Sequence, residues 1–353
     1  MKQTLISTRR FLREINSYVV NSINIIYGLI VYKCTGKTPE KAYFSLINLY
    51  CITNGYSNSF LAWLLKLYHP PYDFLVSKGV LGDLKSEQIA TIVKTIKKNG
   101  YYVFDNLLPL DICQRLTTFS QTQECDLTDT INPDIKVSVY DRQKNAPIAT
   151  TYWLREEDLI ANPDIQMLMA DLSILAIAQA YLETQPILDI VAMWWTTACS
   201  KQANWNSAQL YHFDMDRIKW LKFFIYLTDV TTDNGPHCYI TGSHRVGMKP
   251  KDLLSRGYTR IPDKDIEKFY SKEDFIEVTA PRGTIIAGDT LCFHKGKPVQ
   301  VGDRLILQIE FTNSLFGGSY QINNLNQLHH WDLYKLSQIH KRIYSKFTFQ
   351  LDK

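Results

Sequence analysis

After Pro186 the chain stops reading as helix. ILDIVAMWWTTACS, LKFFIYLTDV (221–230), DFIEVTA (274–280), GTIIAG (283–288) and RLILQIEFTN (304–313) are β-branched and aromatic runs of strand length. Turns such as Asp233-Asn234-Gly235 separate them, and no regular helical pattern alternates with them. Parallel strands need crossover connections, usually helices, whereas antiparallel strands need only turns. The expected fold is therefore mainly β with helical additions, its core an antiparallel sandwich or jelly roll.

The helical additions come first. YVVNSINIIYGLIVY (18–32), KTPEKAYFSLINLYC and SFLAWLLKLY read as helices, the last ended by His69-Pro70-Pro71. The expected division is a helical extension over 1–80 and the β domain over 81–353. Residues 18–32 are too short for a bilayer span. They read as a buried helix in preference to a peripheral membrane helix, although Arg9, Arg10 and Arg13 precede them. KSEQIATIVKTIKKNG repeats Ile89, Ile92, Val93 and Ile96 on one helical face, with Gly100 as its stop. YYVFDNLL reads as strand and turn, and Leu110–Phe119 as helix. Residues 121–153 are polar and turn-rich, a loop over a site or a surface excursion. Pro163–Leu182 reads as one helix opened by its proline.

A net charge of +4 with no basic stripe gives no case for a nucleic-acid partner. The seven cysteines are odd in number, irregularly spaced and without a CxxC pair. They read as free thiols in a reducing, cytoplasmic setting. The opening residues lack the uninterrupted apolar run of a secretory leader. Nothing in the sequence speaks to oligomeric state.

Residues 209–216 read QLYHFDMD. His212 and Asp214 are two apart, and on extended chain such side chains share a face. Taken alone the pair is either a surface turn or two arms of a metal site. A facial triad on non-haem iron needs one more histidine. His237, His244, His294, His329, His330 and His340 are the candidates, and His294, in GDTLCFHKGKP, has the best context. Arg304 follows at the start of the most apolar strand, an odd choice unless it meets an anion. Together these residues fit an iron that binds a dicarboxylate co-substrate. A zinc hydrolase would use the same ligands but leave Arg304 unexplained. A binding or scaffold protein on the same fold is the alternative outside catalysis.

Residues 98–316 resemble the phytanoyl-CoA dioxygenase family of iron(II)/2-oxoglutarate oxygenases. The likeness is carried by GYYVFDNLLPLDICQRL, by Gln209, His212 and Asp214 as Q-x-x-H-x-D, by LTDVTTDNGPHCYITGSHR, and by DTLCFHKGKPVQVGDRLILQIEF. The resemblance implies a double-stranded β-helix (cupin-like jelly roll) with iron held by His212, Asp214 and His294. It places Gln209 and Arg304 at the co-substrate, Arg304 on the distal carboxylate of 2-oxoglutarate. It implies a dioxygenase that hydroxylates a C–H bond of a small or lipid-like molecule and releases succinate and CO2, with ascorbate as a candidate reductant. The carboxylate of Asp214 favours hydroxylation over halogenation, since halogenating relatives lack it. One departure is Thr241, where the family usually has proline.

The resemblance leaves the substrate open. Trp194, Trp195 and Thr196 lie on a strand able to line the barrel mouth, with either tryptophan inside. Tyr211, Phe213 and Trp220 flank the metal motif as pocket wall or core. Asp216, Arg217 and Lys219 either bind a polar group or face water. His244 reads foremost as a stabiliser of its own turn. KKNG (97–100) and MKPKD (248–252) are generic basic stretches.

Overall fold

The computed structural model describes residues 2–73, 77–141, 144 and 146–349, with side chains from residue 15 onward. Arg9, Arg10 and Arg13 therefore lie outside the described side chains.

Eight antiparallel strands build the major sheet. In chain order they are β1 (Tyr101–Val103), β2 (Glu124–Thr130), β3 (Val137–Val139), β4 (Ala149–Leu154), β5 (Ile187–Thr197), β6 (Trp220–Tyr226), β9 (Ile285–Gly288) and β11 (Asp303–Thr312). Across the sheet the order is β1-β9-β6-β11-β5-β4-β2-β3. The minor sheet places β7 (His237–Ile240) between β8 (Phe275–Val278) and β10 (His294–Gly296). Two antiparallel sheets face each other in the double-stranded β-helix, or jelly roll, that the strand pattern led us to expect.

Alternation decides what each face of the major sheet meets. Leu221, Phe223 and Ile225 of β6 and Leu305, Leu307, Ile309 and Phe311 of β11 join a core with the helices. Those helices are α4 (Ser86–Asn99), α5 (Leu110–Ser120), α6 (Pro163–Met169) and α7 (Leu172–Leu182). The other face carries Phe224, Tyr226 and Ile306 toward the minor sheet, where Tyr239 and Val278 meet them. Arg304 and Glu310 have the parity of Ile306, so two charges are carried inward.

Three expectations need correction. Residues 121–153 are not a loop: they form β2, β3 and β4 at one edge of the major sheet. Their strands are short of aliphatic residues, and β2 is only partly buried, so hydrophobic alternation is faint there. Pro163–Leu182 is two helices, not one. Asp171 caps the second, its Oδ1 accepting from the backbone N–H groups of Ser173 and Ile174 at 3.0 and 2.9 Å, and the axis bends by 41°. The helix α1 (Lys2–Thr35) is not buried. Asn21, Ile25 and Gly28 face inward, while Ile23, Ile26, Tyr27 and Ile30 are exposed, and only 17% of its most apolar window is covered. Ile15–Thr35 is long and apolar enough to cross a membrane, but a single such helix is weak evidence for attachment.

The inward side of the N-terminal helices reaches the metal motif. Gly28 lets α1 lie against α2 (Glu40–Thr53), since a Cβ there would stand 2.2 Å from that of Ala42. Ile25, Leu46 and Tyr50 pack in one cluster with Tyr211, Phe213, Met215 and Phe293. Asn58 of α3 (Tyr56–Tyr68) donates to the Ile218 carbonyl at 3.1 Å.

Candidate metal centre

The first two ligand candidates lie on chain pinned by main-chain bonds. Tyr211 exchanges backbone hydrogen bonds with Ile261, at 3.1 and 2.7 Å. His212 exchanges two more with His294, at 3.0 and 2.8 Å, and the Asp214 N–H donates to the Thr290 carbonyl at 2.8 Å. His294 opens β10, whose pairing with β7 fixes it from the other side. One ligand atom from each of His212, Asp214 and His294 lies within 4.8 Å of the others, the one such group of three among the described residues. The Asp214 carboxylate oxygens stand 3.6 Å from His212 Nε2 and 3.7 Å from His294 Nε2.

Both imidazoles are held in one tautomer. Each Nδ1–H donates to a backbone carbonyl two residues back, His212 to Leu210 at 2.9 Å and His294 to Cys292 at 3.0 Å. Both Nε2 lone pairs are therefore turned to the cluster. Burial lowers both pKa values, that of His212 well below the ordinary 6.5 with His294 adding to the effect. Neutral imidazoles are what a metal needs. Burial alone would raise the Asp214 pKa, but Lys222 and the two imidazoles hold it well below the carboxylate range. Lys222 Nζ donates to Asp214 Oδ2 at 2.8 Å and stands 3.4 Å from Glu310 Oε2. Burial raises the Glu310 pKa against the pull of Lys222.

A cavity of about 260 Å³ opens beside the cluster, with Trp194, Phe224, His237 and Arg304 in its wall. Arg304 is 3% exposed. Its Nη2 donates to Thr196 Oγ1 at 3.2 Å, but Nε and Nη1 are buried without partners. Gln209 Nε2 and His237 Nδ1, in the same wall, are likewise unsatisfied. Buried donors left unpaired cost on the order of 1–3 kcal/mol each, more when charged. The cavity is thus built for an acceptor-rich, anionic guest. Two imidazoles and a carboxylate at one end and a guanidinium deeper in fit a divalent iron with a dicarboxylate.

The other sequence candidates separate cleanly. Trp194 lines the cavity, while Trp195 turns to the helical side and donates to Ser120 Oγ at 3.2 Å. Tyr211, Phe213 and Trp220 are core. Arg217 does not face water: it pairs with buried Asp189 at 2.6 and 3.0 Å. His244 stands outside the cluster, its Nε2 3.2 Å from the Lys97 carbonyl, so it ties its turn to the end of α4. Lys249 of MKPKD is buried, donating to the Ser243 and Leu291 carbonyls at 2.7 and 2.6 Å. His237 is a cavity residue and not a ligand, and Lys222, Glu310 and Arg260 were missed. A lysine inside LKFFIYL and a glutamate inside LILQIEF were the available signals.

A family model described as phytanoyl-CoA dioxygenase (PhyH) matches residues 96–304. Among solved structures, the chain is similar to the non-heme α-ketoglutarate-dependent epimerase SnoN from nogalamycin biosynthesis. Identity is 12% over 65% of this chain and 84% of that one, with a TM-score of 0.46. HygX from Streptomyces hygroscopicus, with nickel and 2-oxoglutarate bound, is 17% identical over 71% and 94%, with a TM-score of 0.44. EctD from S. alaskensis in its apoform is 16% identical over 69% and 80%, with a TM-score of 0.43. A search of curated protein sequences gives no match.

Proposed function

The chain belongs to the phytanoyl-CoA dioxygenase family, whose model matches more than half of it, and from that premise we propose that it hydroxylates a C–H bond of a small molecule. Membership and the His–Asp–His cluster make it an iron(II)- and 2-oxoglutarate-dependent oxygenase. In the proposed reaction, substrate R–H, O2 and 2-oxoglutarate give R–OH, succinate and CO2. Bound iron with its co-substrate supplies the activation of O2.

The residues of this chain do the positioning. His212, His294 and Asp214 would hold the metal. Lys222 keeps Asp214 ionised by donating to its Oδ2. Arg304 takes the distal carboxylate of 2-oxoglutarate, its fork aimed by Thr196. Gln209 offers its spare Nε2–H donor to the same guest, and His237 presents an unpaired ring nitrogen to it. Trp194 and Phe224 keep water from the reacting centre. The observation that carries the reading is Arg304, a buried guanidinium with two orphaned donors in the wall of the cavity that holds the triad.

Seven free thiols support a cytoplasmic setting as part of the same proposal. Residues 1–80 are taken as a helical extension of an oxygenase domain over 81–353. Ascorbate is proposed as reductant and would lengthen multiple turnover. The test is an anaerobic titration of the apoprotein with iron(II) and then 2-oxoglutarate. A weak visible charge-transfer band requiring both, fading in air, is the expected result. Absence of the band in wild type, or its persistence in H212A, would overturn the assignment.

A further inference from the structure

We infer that the prime substrate is an anionic small molecule with a flat apolar body, its carboxylate or phosphate group pairing with Arg260 and its body lying on Trp153 and Trp194. The inference rests on the oxygenase reading above and names the substrate class for that site.

The cations around the cavity are accounted for one by one. Lys222 is engaged by Asp214 and Glu310. Lys297 is held by both carboxylate oxygens of Glu277, at 2.7 and 3.0 Å. Arg304 answers the distal carboxylate of the co-substrate. Bound iron would answer Asp214. Arg260 is left over. It lines the same cavity, is half-buried, and has no ion-pair or hydrogen-bond partner among the described residues.

Nor is Arg260 a loose surface arginine. Ile261, the next residue, exchanges both backbone hydrogen bonds with Tyr211, the residue before the first metal ligand. That bridge sets the root of the Arg260 side chain beside the cluster. A guanidinium partly withdrawn from water, rooted on pinned backbone and with no carboxylate partner among the described residues, is a receptor for an oxyanion.

The rest of the wall says what that anion is attached to. Trp153 and Trp194 are register partners on β4 and β5, with ring centroids 4.7 Å apart and planes at 32°. Both line the cavity, and Trp153 is 37% exposed, so the aromatic surface runs from the metal outward. Adjacent indoles offer flat apolar area at little entropic cost. A cavity of about 260 Å³, part of it taken by 2-oxoglutarate, suits a small molecule.

The full chain is loaded anaerobically with iron(II) and 2-oxoglutarate, and saturable shifts of the visible band are followed with paired probes. Indole-3-acetate is set against indole-3-acetamide, and phenyl phosphate against phenol, so the two arms separate carboxylate from phosphate recognition. At least one anion should bind roughly tenfold or more tighter than its neutral partner, the value of one charge-assisted hydrogen bond. R260Q should erase that preference and R260K should retain it, while W153L should weaken both members of the pair alike. Equal binding of anion and neutral partner, no shift with any probe, or a preference surviving in R260Q would overturn the inference. Absence of the band itself in wild type would bring down the oxygenase reading, and the substrate class with it. A normal band without anion preference brings down the substrate class alone.

Discussion

His212 and His294 exchange both of their backbone hydrogen bonds, at 3.0 and 2.8 Å, so the chain brings two ligands together through main-chain atoms. Side-chain replacement leaves that bridge standing. H294A is therefore expected to keep its urea midpoint close to wild type while losing the iron-dependent visible band. A variant that unfolds instead would show that the imidazole, and not the bridge, holds the strand.

Arg304 reports on the co-substrate alone. R304A should raise the 2-oxoglutarate KM by about 30-fold or more, the cost of leaving a carboxylate without its buried partner. Iron(II) affinity should stay near wild type, because Arg304 is absent from the metal cluster. H237L should raise the same KM more modestly by removing one unpaired ring nitrogen from the cavity wall. Succinate release at varied 2-oxoglutarate measures both.

Tyr50 belongs to α2 and meets Phe213, the residue between two ligands, with ring centroids 5.5 Å apart. Y50A should cost about 3–5 kcal/mol in urea unfolding, as for other large-to-alanine core changes. It should also weaken iron binding, because Phe213 packs edge-on against Phe293, the neighbour of His294. Unchanged iron affinity in a destabilised Y50A would confine the helices to a purely scaffolding role.

Lys249 is buried among Tyr50, Phe213 and Phe293, with Nζ 5.2 to 5.7 Å from the ring centres. Burial lowers its pKa from 10.5 to about 8. Between those values the unfolded chain binds the extra proton, so folded stability should rise as pH climbs from about 8 toward 10.5 and be flat below. The rise should reach about 3 kcal/mol at most and vanish in K249M. Urea midpoints at pH 7.5 and 10 for both proteins decide it.

The Thr241 N–H donates to the Asp274 carbonyl at 2.8 Å. T241P removes that donor. It should lower stability by about 1 kcal/mol in a denaturant titration.

The parts of this molecule legible in the sequence are those where one physical pressure dominates. The central strands are buried on both faces and read as unbroken apolar runs, so β5, β6 and β11 stood out. Of the metal cluster, the residues themselves offered the His212–Asp214 spacing and His294 as the best placed of six histidines, and the family resemblance joined the three. β2 to β4 were hidden because β2 and β4 carry pairs of threonines and β2 two aspartates, which blur any hydrophobic alternation. The break at Asp171 was hidden because an aspartate reads as well within a helix as at its start. The exposed face of α1 ran against the expectation that apolar means buried. Lys222 and Arg260 were overlooked because a cation acquires meaning only from the carboxylate it does or does not meet in space.

The distal position of His294 governs when the site comes into being. An unfinished chain, or one whose minor sheet has not closed, offers metal only the neighbouring His212 and Asp214. A third tooth arrives with the long-range loop closure that joins His212 to His294, a slow and entropically costly event. Tight iron capture therefore waits on completed topology.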